Sequence, residues 1–170
     1  YSTIDCGLAG TVMRFVPALA ALLPGEFGFD GDAHARKRPM APLLDGLRQL
    51  GVDVPCEGDQ ADALPFTVQS LGLAQHPVEG SAIPEVRIDA SASSQFVSAF
   101  LLVAPRLPQG LVIRHVGEAV PSVPHIEMTV ETLRELGVRV DSSPEQYTWV
   151  VRPGAICGFE KTIEPDLSNA

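Results

Sequence analysis

Leu47-Arg48-Gln49-Leu50-Gly51-Val52-Asp53-Val54 returns near the other end of the chain as Leu133-Arg134-Glu135-Leu136-Gly137-Val138-Arg139-Val140. Leu47, Leu50, Gly51, Val52 and Val54 match Leu133, Leu136, Gly137, Val138 and Val140 at a constant offset of 86 positions (133 minus 47). Working outward, Ile4-Asp5 matches Ile88-Asp89 and Leu23-Pro24 matches Leu107-Pro108 at an offset of 84, so one small loop difference reconciles the two halves. Ile163-Glu164 reads as the opening of a third copy, followed by Asp166-Leu167-Ser168-Asn169, and the chain stops where the next helix is due.

Inside each copy the apolar periods alternate between helix and strand. Val12, Phe15, Val16, Leu19 and Leu22 recur at helical spacing, and Phe96, Ala99, Phe100 and Val103 fall on the first four of those positions shifted by 84. Both runs are expected to be helices with one buried face. Pro17 should kink the first or tighten its opening turns, since it lacks a backbone donor. Leu44, Leu47 and Leu50 form a second stripe that Gly51 ends as a left-handed cap, and Val130, Leu133, Leu136 and Gly137 repeat the device. Strands are expected at Phe27 to Asp30, Phe66 to Gln69, Leu111 to His115 and Thr148 to Arg152. The fold class is therefore an α/β (α+β) repeat of two βαβαββ units, about 1–84 and 85–162, without a flexible linker between them. Such units bury their faces against one another, so a third unit is expected before Tyr1.

The 170 residues are 45% hydrophobic with mean hydropathy +0.16, which suits an ordinary globular core, and no apolar run is long enough to cross a bilayer. Tyr1 is not followed by a basic-then-apolar leader, and a cytoplasmic setting is the default expectation. Cys6, Cys56 and Cys157 lack paired spacing, arguing against both a disulfide framework and a zinc site; no metal or cofactor is expected. A net charge of −9 argues against nucleic acid and anionic membranes as partners. Any anionic ligand must be held by a local exception.

Three stretches offer one. Gly7-Leu8-Ala9-Gly10-Thr11 leads into a helix start, where free amides and the helix dipole favour phosphate or carboxylate. Ser91-Ala92-Ser93-Ser94-Gln95 holds the corresponding place in the second copy and offers hydroxyls and a carboxamide, suited to a phosphate and a polyol; plain helix capping is the competing reading. His34-Ala35-Arg36-Lys37-Arg38-Pro39 gathers three of the chain's 12 Lys and Arg residues before the second helix, where a guanidinium can take a carboxylate or phosphate in bidentate fashion. A solvated basic turn is the alternative there. Its counterpart, Pro121-Ser122-Val123-Pro124-His125, substitutes a hydroxyl and an imidazole, and His125 could equally serve as a cap.

These stretches resemble the enolpyruvyl transferase family, and within it the EPSP synthases. Leu8-Ala9-Gly10-Thr11-Val12-Met13-Arg14 is similar to the NAGTxxR motif and Arg36-Lys37-Arg38-Pro39 to the xxRP turn. Ser91-Ala92-Ser93-Ser94-Gln95-Phe96 resembles SxSSQF, and Pro121-Ser122-Val123-Pro124-His125-Ile126 resembles the SxPY stretch. Leu8 stands in place of Asn, Phe15 where many members have Pro, and His125 where the family often has Tyr.

The resemblance implies two domains of three βαβαββ units each around a cleft, this chain supplying two units of one domain, with 163–170 starting the crossover to the other. It implies that Ser93, Ser94, Gln95, Ser122 and His125 hold shikimate 3-phosphate, and that Gly10, Thr11, Arg38 and Gln95 hold phosphoenolpyruvate. The implied reaction is enolpyruvyl transfer by a monomeric full-length enzyme, with the acid/base groups on parts outside these 170 residues, which alone should be inactive. Two rivals remain open: UDP-N-acetylglucosamine enolpyruvyl transferase, and a non-catalytic repeat module that binds an anion. RNA 3′-phosphate cyclase-like proteins are a more distant third.

Overall fold

Leu50-Gly51-Val52 and Leu136-Gly137-Val138 stop their helices by one and the same hydrogen-bond pattern. In the computed structural model, which describes residues 1–57, 62–80 and 82–163, α2 (Ala41–Gln49) ends at Gly51 with φ +83° and α4 (Val123–Glu135) at Gly137 with φ +91°. The Val52 and Gly51 amides donate to the carbonyls of Leu47 and Arg48, and those of Val138 and Gly137 to Leu133 and Arg134. This paired closure needs a residue in the left-handed region, which glycine enters without a Cβ penalty.

The remaining elements form two sheets. β1 (Ser2–Asp5), β2 (Pro24–Asp30) and β3 (Phe66–Leu71) run in the order β1-β2-β3, the first pair parallel and the second antiparallel. β4 (Glu85–Ile88), β5 (Leu111–His115), β6 (Val140–Ser143) and β7 (Thr148–Val151) run β4-β5-β7-β6, again with a parallel pair first and antiparallel pairs after it. α1 (Gly10–Ala20) joins β1 to β2, and α3 (Gln95–Val103) joins β4 to β5. Where the first half was expected to carry a fifth element like β6, it shows two isolated bridges, Asp53 to Gln69 and Cys56 to Phe66. Pro55 lies between them and cannot donate to a ladder.

Burial corrects one expectation. In α1 the fully buried residues are Met13, Pro17, Ala18 and Ala20, while Val12, Phe15 and Val16 are only partly covered and Leu19 is 55% exposed. Helical period identifies an apolar face but not which part of it a neighbour covers. The helix passes through Pro17 unbroken, and the Ala21 amide donates to the Pro17 carbonyl. α3 is the opposite case: Phe96, Val97, Ser98, Ala99, Phe100, Leu101 and Val103 are all buried, because α1 and α4 flank it.

The two halves share one core. Gly46 of α2 faces Phe100 and Ile88 so closely that an added Cβ would lie 2.7 Å from Phe100 Cε2 and 3.2 Å from Ile88 Cγ2. The absence of a side chain there lets α2 settle on β4. The proposed third copy cannot be followed, since Ile163 is the last described residue and 164–170 lie outside the description. No helix among the described residues is long and apolar enough to cross a membrane.

Candidate functional site

β1 ends at Asp5, whose Oδ1 accepts the Gly7 amide at 2.8 Å and bends the chain through Gly7 at φ +50°. α1 then starts at Gly10 behind Ala9, which has no side chain able to cap the first turn. The opening amides are left to other partners, a favourable place for an anion. β4 ends in the same way at Asp89, whose Oδ1 accepts the Ser91 amide at 3.0 Å. The Ser91 hydroxyl also donates to Asp89 and holds that carboxyl below its usual range. Ser94 is the N-cap of α3, yet its hydroxyl makes no capping bond.

The basic turn divides its charges. Asp30, at the end of β2, accepts the Gly31 amide at 2.8 Å and takes Arg36 in bidentate fashion, at 2.9 Å from Nε and 2.7 Å from Nη2. The Arg36 guanidinium thereby holds the Asp30 carboxyl below the ordinary carboxylate range. Arg36 is a tie for the turn rather than a ligand group. Arg38 points the other way and lies over the start of α1: a Cβ added at Gly10 would be 3.0 Å from its Nη1 and 3.1 Å from its Nη2. Among the described residues its Nη1 meets the Leu8 carbonyl at 3.4 Å and the Met13 sulfur at 4.0 Å.

One turn along α1, Arg14 reaches across to the second half. Its Nη1 donates to Gln95 Oε1 at 2.7 Å and to Ser93 Oγ at 3.3 Å, with the guanidinium 5.2 Å from the centre of the Phe96 ring. Burial lowers the Arg14 pKa, and the nearby Arg38 charge adds to the effect. Neither arginine has a carboxylate within ion-pairing distance among the described residues. In a chain with nearly twice as many acids as bases (21 against 12), two neighbouring guanidiniums without an acid partner among the described residues concentrate positive charge that suits an anion.

The α4 start lies at the same end of the second sheet, since β4 and β5 are parallel and α3 and α4 follow them. Buried His115, at the end of β5, accepts the Ala90 amide on Nδ1 at 3.0 Å and donates from Nε2 to the Glu118 carbonyl. The Ser91 hydroxyl, 3.4 Å from that same carbonyl, closes the stitch between the two loops. Thr129 and Ser98, each one turn beyond His125 and Ser94, meet at 3.5 Å between their hydroxyls, so the two helices run level. Ser122 caps α4 in the left-handed region (φ 57°, ψ 45°), and the His125 amide donates to its carbonyl.

Of the residues singled out in the sequence, Arg38 lies over Gly10, and Ser93 and Gln95 bond to the adjacent Arg14. Ser94 is buried beside them. Thr11 is exposed in the first turn of α1, and Ser122 and His125 are exposed at the start of α4 without a hydrogen bond to the cluster. Arg14, the closing residue of the stretch similar to NAGTxxR, was given no site role. A second signal was a cation four residues after Gly10, on the same helix face, between Met13 and Phe15.

The family profile for EPSP synthase (3-phosphoshikimate 1-carboxyvinyltransferase) matches residues 1–170. A 3-phosphoshikimate 1-carboxyvinyltransferase from Kocuria rhizophila is 56% identical over 168 residues, 98% of this chain and 36% of that protein. The chain thus spans about a third of the length of that curated relative. Two solved structures of EPSP synthase from Acinetobacter baumannii superpose with TM-scores of 0.69 and 0.68 at 20% and 21% identity. Each alignment covers 92% of this chain and 32% of the other, a likeness of fold.

Proposed function

The chain belongs to the EPSP synthase family, and from that premise we propose that it supplies part of the substrate cleft of an enolpyruvyl transferase. The observation that carries this reading is the pair Arg38, set over the Gly10 helix start, and Arg14, bonded to Gln95, neither with a carboxylate partner among the described residues. Phosphoenolpyruvate, with a phosphate and a carboxylate on three carbons, is bound by the Arg38 guanidinium, the Gly10 and Thr11 turn and the Gln95 carboxamide. Shikimate 3-phosphate is bound by Ser93, Ser94, Gln95, Ser122 and His125, whose hydroxyl, carboxamide and imidazole groups suit a phosphate ester bearing hydroxyls.

In the reaction the 5-hydroxyl of shikimate 3-phosphate gives up its proton to a base as its oxygen attacks C2 of phosphoenolpyruvate, while C3 takes up a proton from an acid. The tetrahedral intermediate then expels inorganic phosphate as C3 gives a proton back, leaving the enolpyruvyl ether. The cluster holds no carboxylate to move those protons, so its part is to bind, orient and stabilise negative charge. The acid/base groups belong to the remainder of the larger enzyme. We further assign 1–84 and 85–162 as two copies of one βαβαββ unit, and 163–170 as the start of a crossover. The matched Asp5–Gly7 and Asp89–Ser91 turns and the matched glycine caps support that division.

The test is phosphate release from phosphoenolpyruvate and shikimate 3-phosphate. The full-length polypeptide carrying this segment should turn over, while the 170 residues alone should bind weakly and release none. Turnover by the 170 residues, or a full-length enzyme that prefers UDP-N-acetylglucosamine, would overturn the assignment.

A further inference from the structure

We infer that Arg14 is a positioning residue, which locks the Gln95 carboxamide and the Ser93 hydroxyl across the join between the two halves so that Gln95 offers its NH2 group to the bound anion. The inference rests on the proposed function for the identity of the ligand, but not for its geometry.

A guanidinium has donors only, so the atom of Gln95 that meets Arg14 Nη1 at 2.7 Å must be the carbonyl oxygen. Fixing that oxygen turns the NH2 end of the planar amide away from Arg14, and the charge on Arg14 polarises the amide and strengthens that donor. The same nitrogen lies 3.3 Å from Ser93 Oγ, which in turn accepts the Gln95 backbone amide at 3.3 Å. Side chain and main chain at the start of α3 are therefore set by one atom of α1.

Packing does not account for an arginine here. A methionine would cover the Phe96 face equally well, without burying a cation beside Arg38. The Arg14 Nε–H is buried with no hydrogen-bond partner among the described residues, an unfavourable arrangement that a purely space-filling side chain would avoid. What the arginine adds, beyond the cation–π contact with Phe96, is the Nη1 fork to Gln95 and Ser93.

Arg14→Met keeps an unbranched apolar side chain beside Phe96 and removes the guanidinium with its fork. In the full-length enzyme it should raise KM for phosphoenolpyruvate about tenfold or more, with a smaller change in kcat. Because Arg14 acts through Gln95, adding Arg14→Met to Gln95→Ala should cost less than about twofold further. Multiplicative losses, or an unchanged KM in Arg14→Met, would overturn the inference.

A ligand-free measurement separates this inference from the functional reading. In the 170-residue chain the Gln95 side-chain NH2 resonances should differ from those of free glutamine and move toward them in Arg14→Met; resonances that do not move would refute the lock. If the wild-type enzyme fails to turn over, the functional reading falls and the resonances alone judge Arg14. Should Arg14→Met not fold, Gln95→Glu keeps an acceptor for Arg14 but has no NH2. It should retain its Tm and show the same KM loss, and a normal KM would overturn the inference.

Discussion

The starts of α1 and α3 follow strands that end in the same aspartate turn, yet they are built from opposite materials. The α1 start is bare, with Ala9 as a cap, Gly10 as first residue, the Arg38 guanidinium over it and Arg14 one turn along, turned toward α3. The α3 start carries Ser93, Ser94 and Gln95 and leads into a helix buried at all but Gln95 and Leu102, whereas α1 buries only Met13, Pro17, Ala18 and Ala20. β1 is a largely exposed edge, while β4 is covered by α2. In the proposed function the difference separates two tasks: the second half provides neutral donors, and the first, less enclosed, provides the positive charge. Keeping the caps and turns alike while changing the residues just beyond them alters chemistry without altering the scaffold.

That division can be broken most forcefully at Arg38. Arg38→Ala in the full-length enzyme should weaken phosphoenolpyruvate binding by about 2–5 kcal/mol, at least about thirtyfold in Kd by calorimetry. Ser122→Ala, a loss of one neutral donor, should cost only about 0.5–1.5 kcal/mol in shikimate 3-phosphate binding. Equal losses at the two positions would contradict the separation of charge from neutral recognition.

Next in size is the join itself. Gly46→Ala puts a methyl group against Phe100 and Ile88, both fully buried, and should destabilise the fold by about 1–3 kcal/mol in urea unfolding. Gly10→Ala presses on the far end of Arg38 instead, a movable group. Its stability should stay within about 0.5 kcal/mol of the parent, while Kd for phosphoenolpyruvate rises about threefold to tenfold as the guanidinium is displaced. If Gly10→Ala destabilised as much as Gly46→Ala, the open character assigned to the α1 start would be wrong.

Much of this contrast could be read in the chain. Gly51 and Gly137 announce helix ends because the left-handed region admits few other residues, and the β-branched run at Leu111 to His115 matches its strand residue for residue. Three things were hidden, each decided by tertiary contact. The covered face of α1 depends on where α3 lies, so Met13 is buried and Leu19 is not. Arg36 and Arg38 are equivalent in a basic run until Asp30 claims one of them. Arg14 gains its role only when α1 and α3 are side by side, a proximity that no spacing within either helix encodes.

The smallest expected effect concerns the acidic clamp of the second half. Glu85, first residue of β4, accepts bonds from Arg114 on β5 and from Arg87, and these guanidiniums hold its carboxyl below the usual glutamate range, Arg114 foremost. They also sit opposite each other in the β4–β5 register, so the carboxylate separates two like charges. A carboxyl with a depressed folded pKa favours folding fully above its unfolded value, near 4.3, and that contribution fades as pH falls through the lower folded value. Because the pair is partly exposed, solvent screening limits the effect to about 0.2–1 kcal/mol. Urea unfolding of Glu85→Gln against the parent should show the parent ahead by that margin at pH 7 and the two converging toward pH 2, with added salt narrowing the gap. A constant gap across that range would mean that Glu85 acts through shape and not charge. The clamp of the second half would then be no counterpart to the Asp30–Arg36 tie of the first.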